Sequence, residues 1–321
     1  MRKPGRKSDM HLLLVLALAF PPAESATLQC AHEVAAAVGD EVWPGWSAAP
    51  FSTLLVAGET EYLVTKASNA KGFETGDAAP VAGYKLFHRK RTFSPNFLAT
   101  FPISSPEPVI VVGTPAKTGK SEAAWLVTLL HEHFHQLQYS QPWYYERTAA
   151  LNLSKGDTTG MWMLNYAFPY ADPAVQQRFE RFSHALAKAV RARGTVAFTP
   201  ALREVKSTWR ELRDNLTADD YAYLRLQLWQ EGIPRYAELM LASKASTVAC
   251  VAKVQPSMSV VAEETLAGIL RSLDNPKLGE RQREVVYATG AAIALLLDET
   301  SPSWKVDYFA KPFALESYFA P

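Results

Sequence analysis

Apolar positions along this chain change their spacing near residue 120. Before that point they come in short runs bounded by glycine, proline and polar residues, the pattern of strands and turns. Residues 53–57 (TLLVA) and 62–65 (YLVT) flank Gly58, Glu59 and Thr60 and predict a hairpin. Residues 84–87 and 109–112 predict further strands, with proline-rich punctuation between them. Ahead of the hairpin, residues 28–38 predict a short helix that stops at the turn Trp43-Pro44-Gly45-Trp46. Beyond residue 120 the apolar residues recur at helical spacing. Helices are predicted over 121–140, 143–154, 173–193, 200–213, 218–244, 258–273 and 281–298. Strands first and helices afterwards predict an α+β fold, with 26–118 mainly strands and loops and 119–321 mainly helices. No internal repeat or low-complexity tract interrupts it, and with 48% apolar residues in the whole chain the segment 26–321 can bury a large core, read as a single domain with two closely packed lobes as the alternative.

The first residues follow a different logic. Arg2, Lys3, Arg6 and Lys7 precede the apolar run 12–20 (LLLVLALAF), then Pro21 and Pro22 break the pattern and small residues follow at Ala23, Ser25 and Ala26. This is the layout of a secretory signal peptide over 1–25, with cleavage after Ser25 or Ala26. The apolar run is too short to span a bilayer comfortably, and no later stretch is long and apolar enough, so no stable membrane insertion is expected after cleavage. An exported protein, periplasmic or extracellular, is expected. Removing 1–25 takes away four basic residues (Arg2, Lys3, Arg6, Lys7) and two acidic ones (Asp9, Glu24), which moves the formal charge from +1 to −1. That balance gives no support to nucleic-acid binding. Cys30 and Cys250 are the two cysteines. In an oxidising compartment one disulfide is the natural reading, and two buried thiols are the alternative. Neither has a ligand-type neighbour at short spacing.

Candidate chemistry concentrates in one predicted helix. His131-Glu132-His133-Phe134-His135 spells H-E-x-x-H inside an apolar helical run free of glycine and proline. Residues four apart share a helix face, so His131 and His135 are placed to ligate one metal ion, and Glu132 is placed to take a proton from water activated there. Zinc (Zn2+) is the expected metal. His133 points away from the other two and is read as a supporting or surface residue. The strand 109–112, directly before this helix, is a candidate edge for pairing with an extended peptide.

A catalytic zinc site takes three protein ligands and keeps one position open. No third histidine follows at the short spacing of metzincins. The run from Leu228 to Glu238, LWQEGIPRYAE, resembles the W-x-x-E-G-x-A-x-[YF]-x-E segment of the gluzincin peptidases. Trp229 stands one residue closer to the glutamate than in that pattern, and Pro234 replaces the alanine. The resemblance implies a zincin-like fold, Glu231 as third metal ligand, and Glu238 as a hydrogen-bond partner of a ligating histidine. Tyr287-Ala288-Thr289-Gly290 is similar to the Y-x-x-G helix of aminopeptidase-like gluzincins, which implies that Tyr287 stabilises the oxyanion, with Tyr236 as runner-up. The spacing departs from the family: residues 136–230, far more than in those enzymes, separate His135 from Glu231, and helices within 143–213 must return the chain to the metal. Glu146 and Glu180 are rival ligands if they do not. The G-x-M-E-N segment that binds a substrate amino terminus is missing, so exopeptidase specificity is not implied. The expectation is a zinc-dependent hydrolase of peptide (amide) bonds acting on a peptide or protein substrate. A non-catalytic zinc-binding protein with a vestigial zincin fold, and a hydrolase of cell-wall amides, are the alternatives.

Overall fold

The structure, a computed structural model, describes residues 20–76, 80–103 and 106–318. Most of the predicted signal segment, residues 1–19, lies outside the described residues. The chain proper opens with a helix over Pro22–Val42, longer at both ends than the predicted 28–38. Pro22 does not break it. A proline at the first helical position loses no hydrogen bond, and its fixed φ suits the helix start. Ser25 and Ala26, the predicted cleavage positions, lie near the start of this helix. Gly45, at φ +79°, turns the chain between Trp43 and Trp46, and both indoles pack edge-on against Phe134 at 5.0 and 5.2 Å.

A six-stranded sheet follows, built from β1 (Thr53–Ala57), β2 (Thr60–Thr65), β3 (Glu74–Thr75), β4 (Lys85–Lys90), β5 (Leu98–Pro102) and β6 (Pro108–Gly113) in the order β3-β4-β2-β1-β6-β5. The β1–β2 hairpin forms as predicted, with Gly58 at φ +61° in the turn. The strand predicted at 109–112 also forms, but it is not an edge. β6 runs parallel to β1 on one side and antiparallel to β5 on the other, so among the described residues the sheet edge on this side belongs to β5, and the opposite edge to β3. β5 has no signature in the apolar pattern: it is short, follows Pro95 closely and ends on Pro102, a residue tolerated in strands chiefly at edges.

Side chains alternate across the sheet. Leu55, Val64, Leu86, Ile110 and Val112 join the main core under the helices, whereas Leu54, Val56, Leu63, Phe87, Val109 and Val111 face the opposite side, where Phe93, Phe97 and Phe101 cover them. The HExxH helix, Glu122–Tyr139, starts at Ser121, whose side chain accepts from the Ala124 N–H. Its sheet-facing polar groups dock it: Trp125 Nε1 donates to the Gly113 carbonyl at 2.8 Å, and Gln136 Nε2 donates to the carbonyls of Ser52 (2.9 Å) and Pro108 (2.8 Å).

The remaining chain is helical, as predicted, with adjusted bounds. The helix expected over 143–154 spans Tyr144–Ala150 and stops ahead of Asn152, which is left-handed at φ 55°. Helices Pro173–Ala192 and Phe198–Arg213 pack on each other within the long segment that separates His135 from Glu231. Ser183 Oγ ties the first of them to the Leu273 carbonyl of the helix Met258–Asp274 at 2.9 Å. The predicted helix 218–244 is two helices, Ala218–Gln227 and Ile233–Lys244, joined by a π turn over Leu228–Gly232. The last long helix runs Val285–Thr300, after a 3-10 turn at Gln282–Glu284. Cys30 and Cys250 are disulfide-bonded, tying the first helix to a turn 220 residues later. Among the described residues no helix is long and apolar enough to cross a membrane.

Candidate metal centre

His131 and His135 project from one face of the HExxH helix, one turn apart, and both are buried. Their Nε2 atoms face each other at 3.2 Å. Glu231 Oε2 lies 3.5 Å from His135 Nε2 and 3.9 Å from His131 Nε2. One ligand atom from each of these residues falls within 4.8 Å of the others, so the three form a buried cluster able to hold a metal ion. Tetrahedral zinc at bond lengths of about 2.0–2.1 Å requires its donor atoms to be roughly 3.3 Å apart. The nitrogen pair meets that spacing, and the carboxylate oxygen, at 3.5 Å from one nitrogen and 3.9 Å from the other, lies within roughly 0.6 Å of it. Two neighbouring imidazoles and one carboxylate are a donor set that suits zinc.

Glu231 is delivered by the π turn. There an N–H bonds five residues back instead of four, which suits a segment whose Pro234 has no N–H to offer. The Trp229 carbonyl accepts instead from Gln138 Nε2 at 3.1 Å and from the Tyr308 hydroxyl at 2.8 Å. Gln138 uses its other end on the metal side, with Oε1 2.8 Å from His135 Nδ1. One amide therefore orients an imidazole of the cluster and pins the turn that carries Glu231. Sequence reasoning missed Gln138, although its position three residues beyond His135 on the same helix was a usable signal.

The elements carrying Glu231 and Tyr287 meet backbone to backbone. Gly232 and Gly290 face each other so closely that a Cβ on Gly232 would stand 2.4 Å from the Gly290 Cα. Both glycines of the E-G and Y-x-x-G segments thus have a packing reason.

Charge around the cluster is arranged in layers. His131 Nδ1 is 2.6 Å from Glu238 Oε1, a close ion-pair contact, and Arg235 pairs with the other oxygen of Glu238. Arg283 Nη1 lies 3.1 Å from Glu231 Oε1, the oxygen turned away from the histidines. Burial alone would raise the Glu231 carboxyl, but His135, His131 and Arg283 outweigh it and hold the group well below the usual carboxylate range. Burial likewise works against the charged form of His131, yet Glu238 and Glu231 push its pKa up to about 10. The two carboxylates thus favour the protonated imidazole, the form that would compete with a cation for its nitrogen.

Glu132, also buried, accepts from the Thr100 hydroxyl at Oε2 (2.8 Å). The Tyr287 ring lies along His131 with centroids 6.0 Å apart and planes at 24°, and burial and the neighbouring Glu231 charge keep its phenol protonated. The Tyr236 hydroxyl donates to Asp298 Oδ2 at 2.7 Å. Glu146 and Glu180 are exposed and take no part in the cluster. Glu238, which the resemblance made a partner of a histidine, lies in ion-pair contact with His131. His133 is not a surface residue: it is 1% exposed, stacked on Phe51 at 4.0 Å with rings 5° from parallel, and its Nε2 faces the Ala49 carbonyl at 3.3 Å. Burial lowers its pKa to about 3.

No protein-family model, curated protein or solved structure matches the chain, so the functional reading rests on the residues and their geometry.

Proposed function

We propose that this chain is a zinc-dependent hydrolase of peptide bonds, of gluzincin type and acting after export. The observation that carries the reading is the His131–His135–Glu231 cluster, with ligand atoms spaced for one tetrahedral ion and Glu132 beside it on the same helix. A purely structural metal site has no use for Glu132, and structural zinc sites are closed and rich in cysteine. Here both cysteines are committed to a disulfide.

A bound zinc ion would supply a water of lowered pKa and positive charge beside the scissile carbonyl. The protein's own groups do the rest. Glu132 accepts a proton from the attacking water and returns it to the leaving amine. Tyr287 keeps its hydroxyl proton at working pH and donates to the oxygen that gains charge. Glu238 and Gln138 hold the two imidazoles in orientation, each through Nδ1. The substrate backbone pairs along the open edge of β5, the strand whose Thr100 touches Glu132.

Elemental mass spectrometry on the purified mature chain tests the first half, with about one zinc per chain expected and loss of metal in Glu231→Ala. A peptide-library digest tests the second half. Glu132→Gln should keep its zinc and lose nearly all cleavage. Full cleavage by that variant would sink the mechanism, and a zinc-free wild-type protein would sink the metal centre.

A further inference from the structure

Thr100 lies on β5, at the edge of the sheet, where the register pairs it with Ile110 of β6. Alternation along the strand sends Phe101 to the far face, among Phe93 and Phe97, and Thr100 to the helix face. Its hydroxyl is 2.8 Å from Glu132 Oε2 and 3.2 Å from the Glu132 backbone carbonyl. A hydroxyl has one proton to donate, and the shorter, charge-assisted contact to the carboxylate is the stronger of the two. Both residues are buried, at 8% exposure each, so bulk water does not substitute for this bond.

From this juxtaposition we infer that Thr100 is a positioning residue for the general base: it takes Oε2 and so presents Oε1 of Glu132 to the reacting water. A glutamate has three rotatable side-chain bonds, and the HExxH helix fixes only where they start. The bond from Thr100 anchors the far end. It also joins the base to the strand edge proposed to receive substrate, so pairing along β5 and alignment of the carboxylate are one mechanical unit. The inference rests on the hydrolase reading, and the test separates the two.

Acetohydroxamic acid is a suitable probe because its binding needs no knowledge of the natural substrate. It binds a metal as the hydroxamate anion, and its O–H proton passes to a carboxylate beside the metal, here Glu132. The mature full-length chain is loaded with cobalt(II), and the probe is titrated by the change in visible absorption for wild type, Thr100→Val, Thr100→Ser and Glu132→Gln. Metal content and thermal midpoint are measured on the same samples. Thr100→Val, which keeps the shape and removes the hydroxyl, is expected to weaken the probe by about 10–100-fold, with one cobalt per chain retained. Thr100→Ser is expected to stay within about threefold of wild type, a rescue that a packing role for the threonine would not show. If Thr100→Val proves unstable, the comparison of Thr100→Ala with Thr100→Ser carries the same contrast. Wild-type affinity in Thr100→Val, with Glu132→Gln weakened, overturns the inference while leaving the hydrolase reading intact. Affinity unchanged in Glu132→Gln overturns the role of Glu132, and a chain that binds no cobalt overturns the metal centre; either removes this inference with it.

Discussion

A single methyl group placed between the two glycines should separate Glu231 from the two histidines of the candidate metal cluster. In Gly232→Ala the new Cβ would stand 2.4 Å from the Gly290 Cα and 3.0 Å from its carbonyl carbon. Ordinary carbon–carbon contact needs about 3.5–4.0 Å, so the two backbones must part by roughly 1.1–1.6 Å. Neither neighbour is the tip of a flexible side chain, so the strain falls on whole helices. Overpacking of this kind costs about 1–3 kcal/mol. At about 2–4 °C per kcal/mol for a large domain, the metal-free midpoint should fall by roughly 2–12 °C. The displacement matters more than the energy, because Glu231 is the next residue and its Oε2 must stay near the 3.5 Å it now keeps from His135. Zinc affinity, read by competition with a chromophoric chelator, should drop by about 10–100-fold. Gly268 provides the control within the same protein. It lies in the helix Met258–Asp274, and its added Cβ would meet only the end of Arg271 at 3.7 Å. There the same substitution should stabilise by about 0.5–1 kcal/mol and leave zinc binding alone. A Gly232→Ala protein with unchanged midpoint and unchanged zinc affinity would refute the close-approach argument.

Other consequences follow from charge and covalent structure. Because the His131 pKa is raised to about 10 in the metal-free fold, zinc uptake displaces a proton across the neutral range, and affinity should rise about tenfold per pH unit between pH 6 and 8; a pH-independent chelator titration would contradict this. His133 has the opposite shift, from 6.5 to about 3, so its contribution to stability is complete above pH 6.5 and is lost as pH falls through 3, at up to about 1.4 kcal/mol per pH unit. His133→Phe should flatten that acid limb in denaturant melts taken between pH 4 and 7, and an unchanged limb would count against burial of a neutral imidazole. Reducing the Cys30–Cys250 bond, which closes a loop spanning 220 residues, should lower stability by about 2–5 kcal/mol, measured as the shift in urea midpoint; equal midpoints with and without reductant would show that it does not restrain the unfolded chain. Arg283→Met should leave Glu231 Oε1 without its cationic partner and lower the thermal midpoint of the metal-free protein more than that of the zinc-loaded one, since zinc can compensate the same carboxylate; equal losses in both forms would refute that account.

The elements that local spacing controls were readable in the amino-acid string. His131 and His135 share a face because helix geometry puts residues four apart on one side, whatever the rest of the chain does. The β1–β2 hairpin and the change from strands to helices near residue 120 were legible for the same reason: side-chain period is a local property. Glu231 and Tyr287 were legible only through their glycine-bearing segments, and the reason for those glycines lies in a contact between Gly232 and Gly290 that no local window contains. Tertiary structure alone decided the rest. It made β5 the edge and enclosed β6, because strand order depends on pairing between distant segments and not on the apolarity of either. It turned Tyr236 toward Asp298 and left Tyr287 beside His131, and it buried His133 against Phe51. It also set Thr100 on Glu132, Gln138 on the Trp229 carbonyl and Arg283 on Glu231. These are single polar contacts between residues far apart in the chain. Periodicity carries no trace of them, because it reports which face of an element is buried and not which group lies opposite.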